Sequence, residues 1–240
     1  MQIKQVSAVL NPPAPHMVGD GFRVHNFFPS GYKLKMSPFF LLDYNAKIEF
    51  SARNEPRGVG VHPHRGFETV TIAYNGAVAH HDSAGNSGVI YPGDIQWMTA
   101  ASGILHKEYH EKEFSKKGGI FQMVQLWVNL PATFKMSKPK YQDLKQSQLQ
   151  KFPLPDGGGT VEVIAGKYND VSGSATTFSQ IEMYNARLNK DAENSVVLIL
   201  SGQPIDEPIA QYGPFLMNTP EEIQQAIADY NHGKFGYLEE

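Results

Sequence analysis

The chain contains no cysteine. A disulfide framework, a thiolate nucleophile and a zinc finger are all excluded. A reducing cytoplasm is the simplest compartment for such a sequence. No apolar run approaches the roughly eighteen residues that a membrane helix needs. The opening residues, Met1 to Val6, lack the charged, apolar and cleavage regions of a secretory signal. There is no sustained basic run either. The net charge is −3 and the pI about 6.3. That balance argues against direct nucleic-acid binding through a phosphate-neutralising face.

What the sequence does have is length, apolar content and histidine. The 240 residues allow one large or two small domains, and 41% hydrophobic residues supply a core. Eight of the nine histidines lie at or before His110. A histidine metal site therefore belongs to the first half. His62-Pro63-His64 is followed some forty residues later by His106-Lys107-Glu108. In a strand, side chains two apart share a face. His62 and His64 thus point one way, as do His106 and Glu108. A lone His-x-His is a weak signal, since strand histidines are more often core or surface residues. Two such pairs on neighbouring strands would gather three imidazoles and a carboxylate. That set suits Fe, Mn, Ni, Zn or Cu, and sequence does not order them. Neutral imidazoles with one carboxylate leave a divalent ion at about +1, which favours an anionic phenol or enol as a further ligand.

Short strands and Gly/Pro turns fill residues 58 to 129, with no helical period. Strands are expected at Phe39 to Tyr44, Phe67 to Tyr74, Ala77 to His81, Gly88 to Tyr91, Ile95 to Thr99, Ile104 to Tyr109 and Gln122 to Asn129. Asn75-Gly76 is a hairpin cue. The pattern predicts a β-sandwich or barrel. Residues 135–150 read as a polar linker with a short helix from Tyr141 to Gln150. A second β series follows at Val161 to Ala165, Ala175 to Glu182 and Ser195 to Leu200. Glu221 to Asn231 is the clear helix, with Thr219 as N-cap and Pro220 at its first position.

Four stretches carry a family resemblance. They are His62 to Thr71, Gly85 to Glu108, Gln125 to Pro131 and Tyr212 to Thr219. Together they resemble the pirin family of the cupin superfamily, over nearly the whole chain. The resemblance implies an all-β bicupin of two jelly-roll barrels. It implies one iron, as Fe(II), held in the N-terminal barrel by His62, His64, His106 and Glu108. It also implies quercetin 2,3-dioxygenase-like activity on an enolic aromatic with dioxygen, with Glu108 as proton acceptor. The other reading it allows is a metal- and redox-dependent regulatory protein, as for the animal member. Gln125 matches a position beside the metal. Glu68, a ligand in the general cupin pattern, is expected to pair with Arg65. His80 and His81 read as structural or solvated, and His110 is a weaker candidate for the site.

The domain expectation is a barrel over 1–134, a linker over 135–150 and a shortened barrel plus C-terminal helix over 151–240. The second β block is too short for a full barrel, and the gap falls near Asn189 to Ser195. Open edges would remain. A homodimer, with or without strand exchange, is the expected remedy.

Overall fold

Between Phe39 and Asn129 the turns hand the chain from one sheet to the other, except at the hairpin that joins Val78–Asp82 to Ser87–Ile90. The computed structural model describes residues 5–28, 36–189 and 195–240. The first half runs β1 (His16–Val18), β2 (Phe22–Asn26), β3 (Phe39–Phe50), β4 (Gly58–His64), β5 (Phe67–Asn75), β6 (Val78–Asp82), β7 (Ser87–Ile90), β8 (Ile95–Thr99) and β9 (Ile104–His110). Helix α1 (Lys112–Lys117), β10 (Gly119–Asn129), α2 (Ala132–Lys135) and β11 (Lys140–Leu144) follow. One sheet has the order β1-β2-β3-β10-β5-β8-β11, and the other β4-β9-β6-β7. Phe22, Val24, Ala73, Val78, Ile90, Phe121 and Met123 form a core drawn from both sheets.

Two local expectations fail here for one reason each. Asn75-Gly76 does not close a hairpin. β5 pairs with β10 and β8, while β6 pairs with β9 and β7. The turn carries the chain between sheets. The segment expected to be helical from Tyr141 is strand β11, paired to β8 from Lys140↔Thr99 to Leu144↔Ile95. The edge of β8 offers backbone partners that outweigh helix propensity.

The second half contains β12 (Gln150–Pro153), β13 (Gly159–Ala165), β14 (Lys167–Tyr168), β15 (Val171–Ser172), β16 (Ile181–Leu188), β17 (Val196–Gly202), β18 (Ala210–Tyr212), β19 (Phe215–Met217) and α3 (Pro220–Asn231). β12-β13-β16-β17 form one antiparallel sheet, and β14/β15 and β18/β19 are two-stranded ribbons. The strand expected from Ala175 begins only at Ile181. One face of the sheet, through Ile164, Ala165, Ile181 and Met183, packs on Val70, Ile72, Trp97, Leu126 and Val128 of the seven-stranded sheet. Its other face carries Val161, Val163, Tyr184 and Ala186 under Phe152, Tyr168 and Val171. The second barrel is truncated. β16 and β17 are direct neighbours from Ile181↔Gly202 to Arg187↔Val196. Most of the expected gap, residues 190–194, lies outside the described residues.

The end of the chain returns to the first barrel. Thr219 and Glu222 cap α3 reciprocally, with Pro220 in its first turn. Arg65 and Phe215 form a parallel bridge. Gly66 sits at φ +90°, and a Cβ there would lie 2.0 Å from the Leu216 carbonyl oxygen, so only glycine fits. Buried Lys135 donates to Gly66 O, Asn129 Oδ1 and Leu216 O at 2.6–2.8 Å. Burial pulls its pKa down to about 7. The guanidinium of Arg65 donates to Asp229 of α3 at 2.9 Å and lies 4.7 Å from the Phe235 ring centre.

That ion pair corrects the expected Arg65–Glu68 partnership. Glu68 points instead with Val70 and Ile72 into the layer between the halves. It is fully buried and accepts from Thr99 Oγ1 at 2.7 Å. Burial raises its pKa to about 7, with Thr99 and Trp97 opposing.

Two outcomes follow from these buried groups. An unfolded glutamate ionises near 4.5, the folded Glu68 near 7. Stability from this group is complete below pH 4.5 and is lost as pH rises through 7. Glu68→Gln is therefore expected to match the wild type at pH 4.5 and to exceed it by about 3 kcal/mol at pH 8, read by denaturant melts. Asp229→Ala strands the Arg65 charge and is expected to cost about 3 kcal/mol in the same assay.

Candidate metal centre

Strands β4 and β9 are antiparallel neighbours, and a bulge between Val59 and His62 decides which residue faces which. The pairing Val59↔Glu108, continued without a shift, would set Val61 opposite His106. The one-residue slip sets His62 there instead. On β9, Ile104, His106, Glu108 and His110 are the buried positions. Parity thus aims His62, His64 and His106 into one space.

The three rings lie close together. Centroid separations are 4.2 Å for His62–His106, 4.6 Å for His64–His106 and 4.9 Å for His62–His64. One ligand nitrogen from each falls within 4.8 Å of the others. Gly60 O lies 2.8 Å from His62 Nδ1. A carbonyl only accepts, so Nδ1 carries the proton and Nε2 keeps its lone pair for the cluster. Burial holds the His64 and His106 pKa values well below the ordinary imidazole value, reinforced by the neighbouring imidazoles. Both rings are neutral and able to ligate.

His106 supplies the test of fit. It is 1% exposed, and neither ring nitrogen has a hydrogen-bond partner. An orphaned buried polar atom costs about 1–3 kcal/mol. A cation between the three rings would satisfy it, and three imidazoles suit a first-row divalent metal.

Glu108 shares the cavity but stands apart from the histidine group. Gln125 Nε2 donates to its Oε2 at 2.8 Å, and Thr71 Oγ1 to its Oε1 at 3.3 Å. Burial raises its pKa, while the nearby His62 and these two donors oppose the rise. Gln125 also contacts Thr71 Oγ1 at 3.3 Å. It therefore orients the carboxylate, a role that the sequence did not suggest.

The remaining histidines lie elsewhere. His80 is buried, with Nε2 2.5 Å from Tyr141 Oη. His81 is exposed. His110 shares the β9 face, yet it stacks on Phe121 at 4.5 Å and bonds Gly21 O at 2.9 Å. Sequence reasoning also passed over Asp43. It pairs with Gln125 across β3 and β10, accepts from Asn26 Nδ2 at 2.8 Å, and lines the cavity. A carboxylate directly after the apolar run Phe39 to Leu42 was the available signal.

The cavity measures about 340 Å³. His62, His64, Glu108, Gln125 and Asp43 supply its polar groups. Val18, Phe22, Val24, Val59, Met123 and Trp127 form apolar walls, and Pro214 reaches in from the β18–β19 turn.

Family models describe what this chain is similar to. The model described as Pirin matches residues 21–128, and the one described as Pirin C-terminal cupin domain matches residues 148–236. A Pseudomonas aeruginosa protein whose name proposes quercetin 2,3-dioxygenase activity is 42% identical, over 97% of this chain and 99% of that protein. Human pirin is 33% identical, over 91% and 90%. These alignments run over 282 and 273 positions against a chain of 240 residues, so both relatives carry positions that this chain lacks. The crystal structure of quercetin 2,3-dioxygenase from Acinetobacter baumannii superposes with a TM-score of 0.89, at 42% identity, covering 95% of this chain and 96% of that one.

Replacing His106 by alanine is expected to reduce bound metal to background after reconstitution, read by plasma mass spectrometry. His110→Ala is expected to leave metal content unchanged, because that ring serves the phenylalanine cluster.

Proposed function

The chain belongs to the pirin family, and from that membership and the histidine cavity we propose a metal-dependent dioxygenase acting on quercetin-like flavonols or related enolic aromatics. The observation that carries the reading is His106, buried with both nitrogens unpartnered between two further imidazoles. His62, His64 and His106, with Glu108, would hold the ion. Iron(II) is the preferred metal, with Mn, Ni, Zn and Cu as competitors of the same donor preference. Bound there, iron would supply Lewis acidity and one-electron chemistry toward dioxygen.

The protein's own groups do the rest. The apolar walls bind a planar aromatic and exclude water. Trp127, edge-on to His64 at 5.5 Å, bounds the space in which the rings of a substrate lie. Glu108 accepts the proton of the substrate hydroxyl, and its raised pKa suits that task. Gln125 and Thr71 fix the carboxylate's orientation while this happens. In this reading the small-molecule partners are the aromatic enol and dioxygen, and the protein works as a homodimer.

Oxygen uptake with quercetin after anaerobic loading with Fe(II) tests the proposal. Uptake with release of carbon monoxide is expected, abolished in His62→Ala and His106→Ala. Gln125→Leu is expected to lower the rate by about 10–100-fold. Iron binding with no uptake across a panel of phenols and enols would sink the enzyme, and would favour the redox-dependent regulatory reading that human pirin's similarity keeps in view.

A further inference from the structure

Strand β17 ends its sheet, and among the described residues no strand covers its other edge. Natural edge strands are protected by charges, proline or a bulge. β17 has none of these. From Ser195 to Ser201 it reads Ser-Val-Val-Leu-Ile-Leu-Ser, without a charge. Val196, Val197 and Ile199 are 39%, 44% and 41% exposed. The relatives' additional aligned positions show that the family carries more chain than is present here.

The run is close to a palindrome in residue type. Read backwards from Leu198 it pairs Val197 with Ile199, Val196 with Leu200 and Ser195 with Ser201. A strand with that symmetry is complementary to itself when antiparallel, and no charge would be buried. The backbone agrees with the same centre. Leu188 N donates to Ser195 O, so Ser195 turns its backbone groups toward β16. By alternation Val197 and Ile199 do likewise, while Val196, Leu198 and Leu200 turn theirs to the open edge. An antiparallel pairing centred on Leu198 sets these outward groups opposite one another, and a register shifted by one residue does not.

We propose that a second copy of this chain pairs β17 to β17 in antiparallel register about Leu198. Each four-stranded sheet then becomes half of a continuous eight-stranded one. This rests on the homodimer reading above and specifies its interface. Leu198 exchanges both hydrogen bonds with Leu198 of the partner subunit. Val197 and Ile199 stand at the more closely spaced, non-hydrogen-bonded positions. Their side chains lie on the face of Tyr184 and Ala186, their cross-strand partners on β16. The pairing therefore extends the apolar surface of that face across the two-fold axis.

The test is solution mass by light scattering on the full chain. The wild type is expected at twice the 26.7 kDa chain mass. Val197→Lys with Ile199→Lys places like charges opposite one another and is expected to give monomers that still melt cooperatively, since both sites are part-exposed. Val197→Lys with Ile199→Glu sets each lysine opposite a glutamate of the partner and is expected to restore the dimer. Amide exchange at Val196, Leu198 and Leu200 should slow only in the dimeric forms. A monomeric wild type would overturn the homodimer reading itself. A dimer that survives the double-lysine change, or one that the lysine–glutamate variant fails to restore, would overturn the β17 interface alone.

Discussion

Three imidazoles crowded around one point, two of them buried and His106 without a hydrogen-bond partner on either nitrogen, are the constraint on which the rest of the first barrel depends. Burying such a ring without a partner costs about 1–3 kcal/mol, and His106 carries that cost. The surrounding structure holds the rings against that cost. The β4 bulge selects His62 over Val61, the Gly60 carbonyl sets its tautomer, and the phenylalanine cluster around His110 fills the far end of the same face. Glu108 is restrained from another direction, by donors on the opposite sheet. The two sheets thus contribute different chemistry: nitrogen donors from one, the groups that steer the carboxylate from the other.

The layer between the halves is chemically unlike the histidine cavity, although β5 serves both. Thr69 and Thr71 face one way and Glu68, Val70 and Ile72 the other. Seven consecutive residues of that strand are buried, the mark of a sheet covered on both faces. In the layer between the halves Glu68 meets Thr99 and Trp97, and burial outweighs them, so it favours its proton. The same residue type on the opposite sheet, Glu108, is also pushed up by burial, but there His62, Gln125 and Thr71 oppose the rise. Position relative to the pleat assigns the two glutamates to different jobs.

Much of this was legible in the sequence, and for identifiable reasons. Period-two alternation put His62 with His64, and His106 with Glu108, on shared faces, because strand parity is local; the bulge that turns His62 toward His106 was not legible. The capped helix was equally plain, since Thr219, Pro220 and Glu222 act within one turn. Pairing partners were not legible. Asn75-Gly76 looks like a hairpin because its residues favour a tight turn, but which strand each arm joins is decided by the whole sheet. The strand at Tyr141 was hidden likewise, its polar residues being edge residues rather than helix faces. Gln125 was placed beside the site by the family resemblance, whereas Asp43 could be placed there only once β10 and β3 were aligned. Arg65 went to Asp229, more than 160 residues away in sequence, and no local rule reaches that far.

The strap formed by Pro214 to Met217 follows the four-stranded sheet of the second half, and it is this strap that touches the loop after His64. Its carbonyls and amides bind Arg65 and Lys135, and Pro214 walls the cavity. Among the described residues of the C-terminal half, Pro214 alone lines the cavity, and the sheet β12-β13-β16-β17 lends it no group. The tail from Pro214 onward, rather than the second sheet as a body, is therefore the part of that half in contact with the histidine cavity.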